Sequence, residues 1–559
     1  MVSKIIFNEE EHSCEEISNV LLQFKSYLLT ICKNGGPVVI SIERCPNFLL
    51  IMQAAYECNI TFVPIELSYP LERIRYIISQ VKPELIINNE HLNFEYHNAT
   101  VVSVDDIMSS NKEIYFYKLQ NEIAYILFTS GSTGKPKGIQ VLRSGLDNFF
   151  SAMKNILDLH NVKRIASFTT VGFDIFILES LFAFYLGLDI VLANNNQQIN
   201  PYEMAKLIEN SSIDLIQFTP SRMRLLMSTD LGRKSLRTVK VVLLGGEVLP
   251  DKMLQELKKC TNAKIYNMYG PTETTIWSSV ADLTETENVN IGYPIDNTEF
   301  YIIDNENNTV NNEIGELCIS GAGLAKGYIN NIEQTQKSFI FLNSINKFVY
   351  KTGDLVKKSQ DGYYLCLGRI DNQIKWHGYR IEPEELENII LCNLGITSIV
   401  KVQDDQLVCY YVKSNSSHNY ERDLKEILSK NAPEYMIPSK WIQVNHIPLN
   451  LNGKIDRTVS LNNFIIYDQV TDNKKSYENN LFGKFASIVE KTLDINFVNV
   501  EICKSQILKE CGIDSIKYVS LIIELEIAFE IEFAENKMIM SEFNSFYDLY
   551  EYIVSLVNV

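Results

Sequence analysis

The chain has 559 residues, a formal net charge of −18, 46% apolar residues and 21% charged residues, the make-up of a globular protein with room for about three or four compact units. The acidic balance excludes nucleic acid and anionic membrane as main partners, and no run approaches the ~18 apolar residues of a membrane span. Eleven cysteines include no C-x-x-C pair, and seven histidines show no ligand spacing; with no basic start before an apolar core at the N-terminus, a reduced, cytoplasmic setting is expected.

In chain order, Val38-Val39-Ile40-Ser41-Ile42 is strand-like, Asn47 to Cys58 is helix-like, and Thr61-Phe62-Val63-Pro64 is strand-like again. This alternation continues to about residue 460 and predicts an α/β layered core with parallel sheets. The apolar run Ile123–Phe128 leads into Thr129-Ser130-Gly131-Ser132-Thr133-Gly134-Lys135-Pro136-Lys137-Gly138. Glycines let backbone N–H groups converge, hydroxyls add donors and lysines add charge, so this loop suits a polyphosphate, although a flexible surface loop has the same composition. It is not a Walker A loop, because Pro136 follows Lys135 where that motif needs Ser or Thr. Residues 464–476 are polar after their first four positions and read as a linker. In the helical region beyond, Tyr518, Leu521, Ile522, Leu525 and Phe529 share one helical face.

Further motifs follow the loop: Gly315-Glu316-Leu317 with Gly327-Tyr328, Tyr269-Gly270-Pro271-Thr272-Glu273-Thr274-Thr275, Tyr350-Lys351-Thr352-Gly353-Asp354-Leu355, Gly368-Arg369-Ile370-Asp371, Tyr435-Met436-Ile437-Pro438, Asn452-Gly453-Lys454-Ile455-Asp456-Arg457 and Cys511-Gly512-Ile513-Asp514-Ser515-Ile516. Together they resemble the adenylation domain of a nonribosomal peptide synthetase, within the adenylate-forming superfamily, followed by its own carrier domain. The resemblance implies an α/β adenylation core over 1–370, a mobile α+β lid over 371–463, the linker at 464–476, and a four-helix peptidyl carrier over 477–559. The segment before Val38 is shorter than is usual in that family, with Ser13-Cys14-Glu15-Glu16-Ile17 as a worn version of its first motif.

A carboxylate does not react with a thiol until its oxygen becomes a leaving group, and ATP supplies AMP for that purpose. By resemblance, Thr129, Ser130, Gly131, Ser132, Thr133 and Gly134 wrap the ATP phosphates, and Lys137 is a mobile cation beside them. Glu273, with Thr129, holds Mg²⁺, an ion that prefers few protein oxygens plus phosphate. Asp354 binds the ribose hydroxyls, Asn267 and Tyr269 flank adenine, Gly246 allows close backbone approach, and Arg369 reaches ribose or phosphate. Lys454 bridges substrate carboxylate and nucleotide, Asp371 is the lid hinge, and Gly378-Tyr379-Arg380-Ile381-Glu382 lines the pantetheine tunnel. His377 stands where the family commonly has arginine and is given no role. Ser515 is the expected attachment point of 4′-phosphopantetheine, although Ser at a helix start also serves as an N-cap.

Asp174, in Phe173-Asp174-Ile175-Phe176, matches the acid that pairs with the α-amino group in amino-acid-activating members, since a buried carboxylate demands a cation. The remaining pocket positions are Ile175, Leu178, Gln217, Leu243, Gly245, Met268, Ile276 and Trp277, a set that with Lys454 resembles the glycine-activating type. Implied partners are glycine, a phosphopantetheinyl transferase and a downstream condensation or tailoring enzyme. Two competing readings are an acid–coenzyme A ligase for aryl or fatty acids, against which Asp174 and Ser515 count, and a non-catalytic relative, against which Lys454, Asp354 and Glu273 count. Whether the unit stands alone or belongs to a larger synthetase stays open at this level.

Overall fold

The structure is a computed structural model that describes residues 4–89, 99–110, 117–131, 134–310, 314–403, 406–412, 420–444, 446–448, 457, 481–493, 515–529, 531–534, 537, 542–543 and 545–557. The chain forms two compact units, Met1–Glu382 and Pro383–Val559.

Strand Val38–Ser41 is buried at all four positions, the pattern of a strand covered on both faces. It is central in a seven-stranded sheet in the order Gly327–Tyr328, Lys137–Leu142, Ile123–Thr129, Phe62–Pro64, Val38–Ser41, Leu85–Asn88, Thr100–Val102. Its middle is parallel, and the pairing of Ile123–Thr129 with Lys137–Leu142 is antiparallel. A nine-stranded sheet runs Tyr293–Pro294, Ser279–Asp282, Lys264–Tyr269, Val241–Gly245, Leu215–Phe218, Arg164–Ser167, Asp189–Leu192, Lys4–Phe7, Glu10–Ser13. Here too the centre is parallel and both edges are antiparallel. The expected layered α/β core is therefore present, with antiparallel edges that the alternation of runs and helices does not announce.

One apolar cluster joins the two sheets through the helices between them, including Ile40, Phe62, Leu127, Ile165, Leu243, Phe48, Phe149 and Phe176. Helix Pro46–Glu57 buries every residue from Phe48 to Ala55, as an all-round apolar helix must. The Ser13–Glu16 segment is a capping box: Ser13 accepts from the Glu16 N–H, and the Glu16 side chain accepts from the Ser13 N–H, opening helix Cys14–Ile31. A five-stranded antiparallel sheet built around Ile314–Gly321 and Lys347–Lys358 completes the first unit, together with the two-stranded hairpin Ile374–Trp376 and Tyr379–Ile381.

In the second unit, strands Ser398–Gln403, Gln406–Val412 and Lys440–Val444 form a sheet, with helices Pro383–Leu394 and Tyr420–Asn431. Arg457 donates to Glu387 Oε2 at 2.5 Å and to Glu384 Oε1 at 3.4 Å. Toward the C-terminus the described residues include three helices, Leu481–Leu493, Ser515–Phe529 and Phe546–Val557.

Candidate active site

Thr129 ends one strand and pairs with Lys137 on the next, so the glycine-rich loop is the connection of a β-hairpin held by a buried sheet. The Gly134 N–H donates to Gly131 O at 3.0 Å. A Cβ on Gly131 would lie 2.1 Å from Lys135 O, so only glycine fits the turn. Ser130 Oγ donates to Arg380 O at 2.7 Å. The Thr129 hydroxyl is buried without a hydrogen-bond partner. Ser132 and Thr133 lie outside the described residues.

Beside this loop lies a cavity of about 390 Å³ lined, among others, by Thr129, Phe173, Asp174, Ile175, Gly246, Asn267, Met268, Tyr269, Trp277, Asp354, Cys366 and Arg369. Asp354 anchors one part of its wall. Tyr269 Oη donates to Asp354 Oδ2 at 2.6 Å, and Arg369 Nη1 donates to Oδ1 at 2.9 Å. Arg369 also donates to both oxygens of Asp371 at 2.6 Å each, and to Thr352 O at 3.0 Å. Burial and the Asp354 carboxylate push the Tyr269 phenol far up, so it stays a donor. Gly353 has φ +72°, and a Cβ there would come within 2.7 Å of both Asp371 and Arg369. The Asn267 amide donates to Asn290 O at 2.7 Å, and Lys375 Nζ lies 5.5 Å from the Tyr269 ring centre.

Glu273 has no exposed surface. Its Oε1 accepts from Tyr328 Oη at 2.8 Å and lies 3.3 Å from Lys137 Nζ, while its Oε2 accepts from Arg380 Nη1 at 2.8 Å. Burial alone would raise this carboxyl, but Arg380 and Lys137 outweigh it and hold the group well below the usual carboxylate range. The Arg380 guanidinium, expected only along the pantetheine tunnel, is thus paired with the carboxylate expected to hold Mg²⁺.

Asp174 lines the same cavity, with Thr272 beside it. Burial raises the pKa of that carboxyl from 3.8 to about 6, with the Thr272 hydroxyl opposing the shift and Glu273 adding to it. Met268 and Trp277 line the same cavity. Leu178, Gln217, Leu243 and Ile276 are buried, each at most 1% exposed, and are not part of its lining. A Cβ on Gly245 would lie 2.8 Å from Trp277 Cη2 and 2.7 Å from Met268 O, so there is no room for even one added carbon at that point. Thr275 and Ile276 both take φ near +65°, which for β-branched side chains is a strained conformation of the kind found at functional sites. The Gln217 Oε1 and Trp277 Nε1 atoms are buried and without hydrogen-bond partners.

Asp174, Ile175, Met268, Trp277, Thr129, Gly246, Asn267, Tyr269, Asp354 and Arg369 are therefore brought to one cavity from segments far apart in sequence. Lys454 lies outside the described residues. Ser515 begins helix Ser515–Phe529 in the second unit. Sequence reasoning missed Thr272 as the partner of Asp174 and Tyr328 as a donor to Glu273. Both stand inside motifs that were recognised, so the signal was present without a role attached.

Residues 3–329 match the family described as AMP-binding enzyme. The chain belongs to the AMP-binding enzyme family. The chain is 34% identical over 453 residues to a dimodular nonribosomal peptide synthase of Bacillus subtilis (strain 168), covering 77% of this chain and 19% of that relative. The chain thus spans about a fifth of that relative's length. Its fold is similar to that of holo-PA1221, a protein containing adenylation and PCP domains, with a TM-score of 0.80 and 20% identity over 99% of this chain and 94% of that one. It is also similar to AB3403, a four-domain nonribosomal peptide synthetase, with a TM-score of 0.60 and 25% identity over 99% of this chain and 41% of that one.

Proposed function

We propose that this adenylate-forming ligase joins an amino acid, glycine, to AMP from ATP with release of pyrophosphate, and then passes the glycyl group to a phosphopantetheine thiol on Ser515. The observation that carries the first step is one cavity holding two unlike ends. Asp354, held by Tyr269 and Arg369, offers a carboxylate for vicinal hydroxyls, and Asp174 offers a second carboxylate for an ammonium group. A fatty or aryl acid has no cation for Asp174.

Glycine is supported by the wall opposite Asp174. Trp277 and Met268 line the cavity that Asp174 also lines, and Gly245 has no space for a Cβ against them. AB3403, whose structure holds AMP and glycine, is in keeping with this reading.

ATP binding has a charge requirement that this acidic chain meets locally with Lys137, Arg369, Lys375 and Arg380. The donors at Glu273 fit Mg²⁺: a fully buried carboxylate and, on the cavity wall, the unpartnered Thr129 hydroxyl are hard oxygen ligands. When bound, that ion neutralises charge on the phosphate oxygens. Arg380 occupies Oε2 in this arrangement, so it must withdraw for a cation to take its place. Asp371 holds Arg369 by two hydrogen bonds and in the proposal is the hinge, while Lys454 neutralises the repulsion between carboxylate and nucleotide. Phosphopantetheine would supply the thiol that attacks the adenylate, releasing AMP, and the start of helix Ser515–Phe529 at Ser515 supports that serine as its attachment point. A phosphopantetheinyl transferase and a condensation or tailoring enzyme in the cytoplasm complete the proposed setting.

ATP–pyrophosphate exchange measured across all amino acids tests this reading. Glycine should give the strongest signal and alanine the next. Exchange driven only by aryl or fatty acids would replace it with the acid–coenzyme A ligase reading.

A further inference from the structure

The segment that offers Asp174 to the cavity is a closed clasp. It leaves strand Arg164–Ser167, turns through Thr170–Phe173, where the Phe173 N–H donates to Thr170 O at 3.3 Å, and enters a short helix at Ile175–Ile177. That helix widens into a π-turn at Leu178–Phe182. Such turns are rare and concentrate at functional sites.

Glu179, on the π-turn, has no exposed surface and its carboxylate reaches back to the start of the segment. It accepts from Thr169 N at 2.8 Å, from Thr169 Oγ1 at 2.7 Å and from Ser167 Oγ at 3.2 Å. Asp174 is midway between Thr169 and Glu179. From the far side, the half-buried Arg44 grips the same strand exit. Its Nε donates to Thr169 O at 3.1 Å, and its Nη2 donates to Ser167 O at 2.6 Å and to Ser167 Oγ at 2.9 Å. Its Nη1 donates to Ala193 O, and its guanidinium lies 5.4 Å from the Phe176 ring centre. The Ser167 hydroxyl therefore links arginine and glutamate. Burial raises the Glu179 carboxyl, with the Thr169 hydrogen bonds and Arg44 opposing it.

Neither Arg44 nor Glu179 lines the cavity. Burying a carboxylate and a guanidinium is costly unless hydrogen bonds satisfy them, and here all but the Arg44 bond to Ala193 O converge on two residues of one strand exit, Ser167 and Thr169. A pair spent only on the core would be replaceable by apolar side chains. This pair fixes the two ends of the loop whose middle residue faces the amino group.

We infer that Arg44 and Glu179 are positioning residues for amino-acid recognition, holding Asp174 and the adjoining Ile175 in register with the substrate while leaving the nucleotide end untouched. The inference rests on the proposed function, because it takes Asp174 as the ammonium site. Bidentate geometry matters at Arg44, since lysine keeps the charge but loses the fork that spans Ser167 and Thr169. At Glu179, glutamine keeps the shape but replaces an acceptor by a donor facing donors.

The test is steady-state exchange with the full chain and its preferred amino acid, reading the KM for amino acid and the KM for ATP separately in Glu179→Gln, Arg44→Lys, Thr169→Val and Thr169→Ser. Expected is a rise of about ten-fold or more in amino-acid KM, within the ~10²-fold that a 1 Å misplacement produces, with ATP KM within about two-fold and discrimination between glycine and alanine reduced. Thr169→Ser, which restores the hydroxyl, should return close to wild type. If Glu179→Gln does not fold, the Thr169→Val and Thr169→Ser pair decides. Unchanged amino-acid KM in variants of an active wild type overturns the clasp alone, as does a parallel rise in both KM values with a lowered Tm. A wild type that exchanges with no amino acid overturns the proposed function and the clasp with it.

Discussion

Asp174 is a carboxyl that waits for a cation. Burial lifts it from 3.8 to about 6, so it is protonated below that pH and ionised above it. Only the ionised form attracts an ammonium group. The kcat/KM for amino acid, which reports groups on the free enzyme, should therefore fall about ten-fold per pH unit below about 6 and level off above pH 7, while ATP affinity changes less. Asp174→Asn should remove this limb and cost about 3–5 kcal/mol of amino-acid binding, the range for breaking one side of a buried ion pair.

Trp277 acts at the same scale by refusal. A methyl group in a fitting apolar site gains only about 0.8 kcal/mol, whereas forcing it into filled space costs roughly 1–3 kcal/mol. Glycine should be preferred over alanine by about ten- to two-hundred-fold, and Trp277→Ala should admit larger amino acids, read as exchange with alanine and leucine. Lys454→Ala should slow exchange by roughly 10²–10³, and Lys375→Ala far less. Equal losses in the two would remove the assignment of Lys454.

The element that decides most is the hairpin Ile374–Ile381. Gly378, with φ +85°, turns it, and a Cβ there would lie 2.6 Å from Thr219 Cγ2. Gly378→Ala should displace the hairpin and slow thioester formation, measured as covalent loading of the carrier, while exchange stays within a few-fold of wild type. A loading rate equal to wild type would show that this approach to Thr219 is not used. Elements of this kind also mark where sequence reading runs out. The buried strand Val38–Ser41 and the helix after it were legible because periodicity and burial are local. The glycine-rich loop and the residues of the cavity wall were legible as motifs. The pairing of Arg380 with Glu273, 107 residues apart, was not, because it depends on how two motifs meet in space. The π-turn at Leu178–Phe182, which carries Glu179, likewise has no signature in its five residues.

Across the whole molecule, the charge of −18 coexists with a site that collects cations, so the phosphate-binding character is local. Burial also sorts the cysteines. Among the described residues, Cys32 and Cys318 are pushed up to about 12 and Cys58 to about 11 by burial, so they stay as inert thiols, and Cys392 is the exposed one. At this scale the last prediction concerns Ser515, in the second unit. Ser515→Ala should keep full pyrophosphate exchange and lose all covalent glycine after treatment with a phosphopantetheinyl transferase, as read by intact-mass spectrometry. The same mass gain in the variant would place the attachment elsewhere.

The Arg380–Glu273 pair has one more implication, for how the hairpin answers its surroundings. Dissolved salt screens exposed charges over about 10 Å at 0.1 M but hardly reaches buried ones, and Glu273 has no exposed surface. Ionic strength is therefore a poor key to this latch. On the proposed function, the Mg²⁺ that accompanies ATP would be the positive charge that competes with Arg380 for Glu273. The hairpin should be indifferent to sodium chloride in hydrogen exchange and responsive to magnesium ATP, and equal protection with and without magnesium ATP would remove this reading.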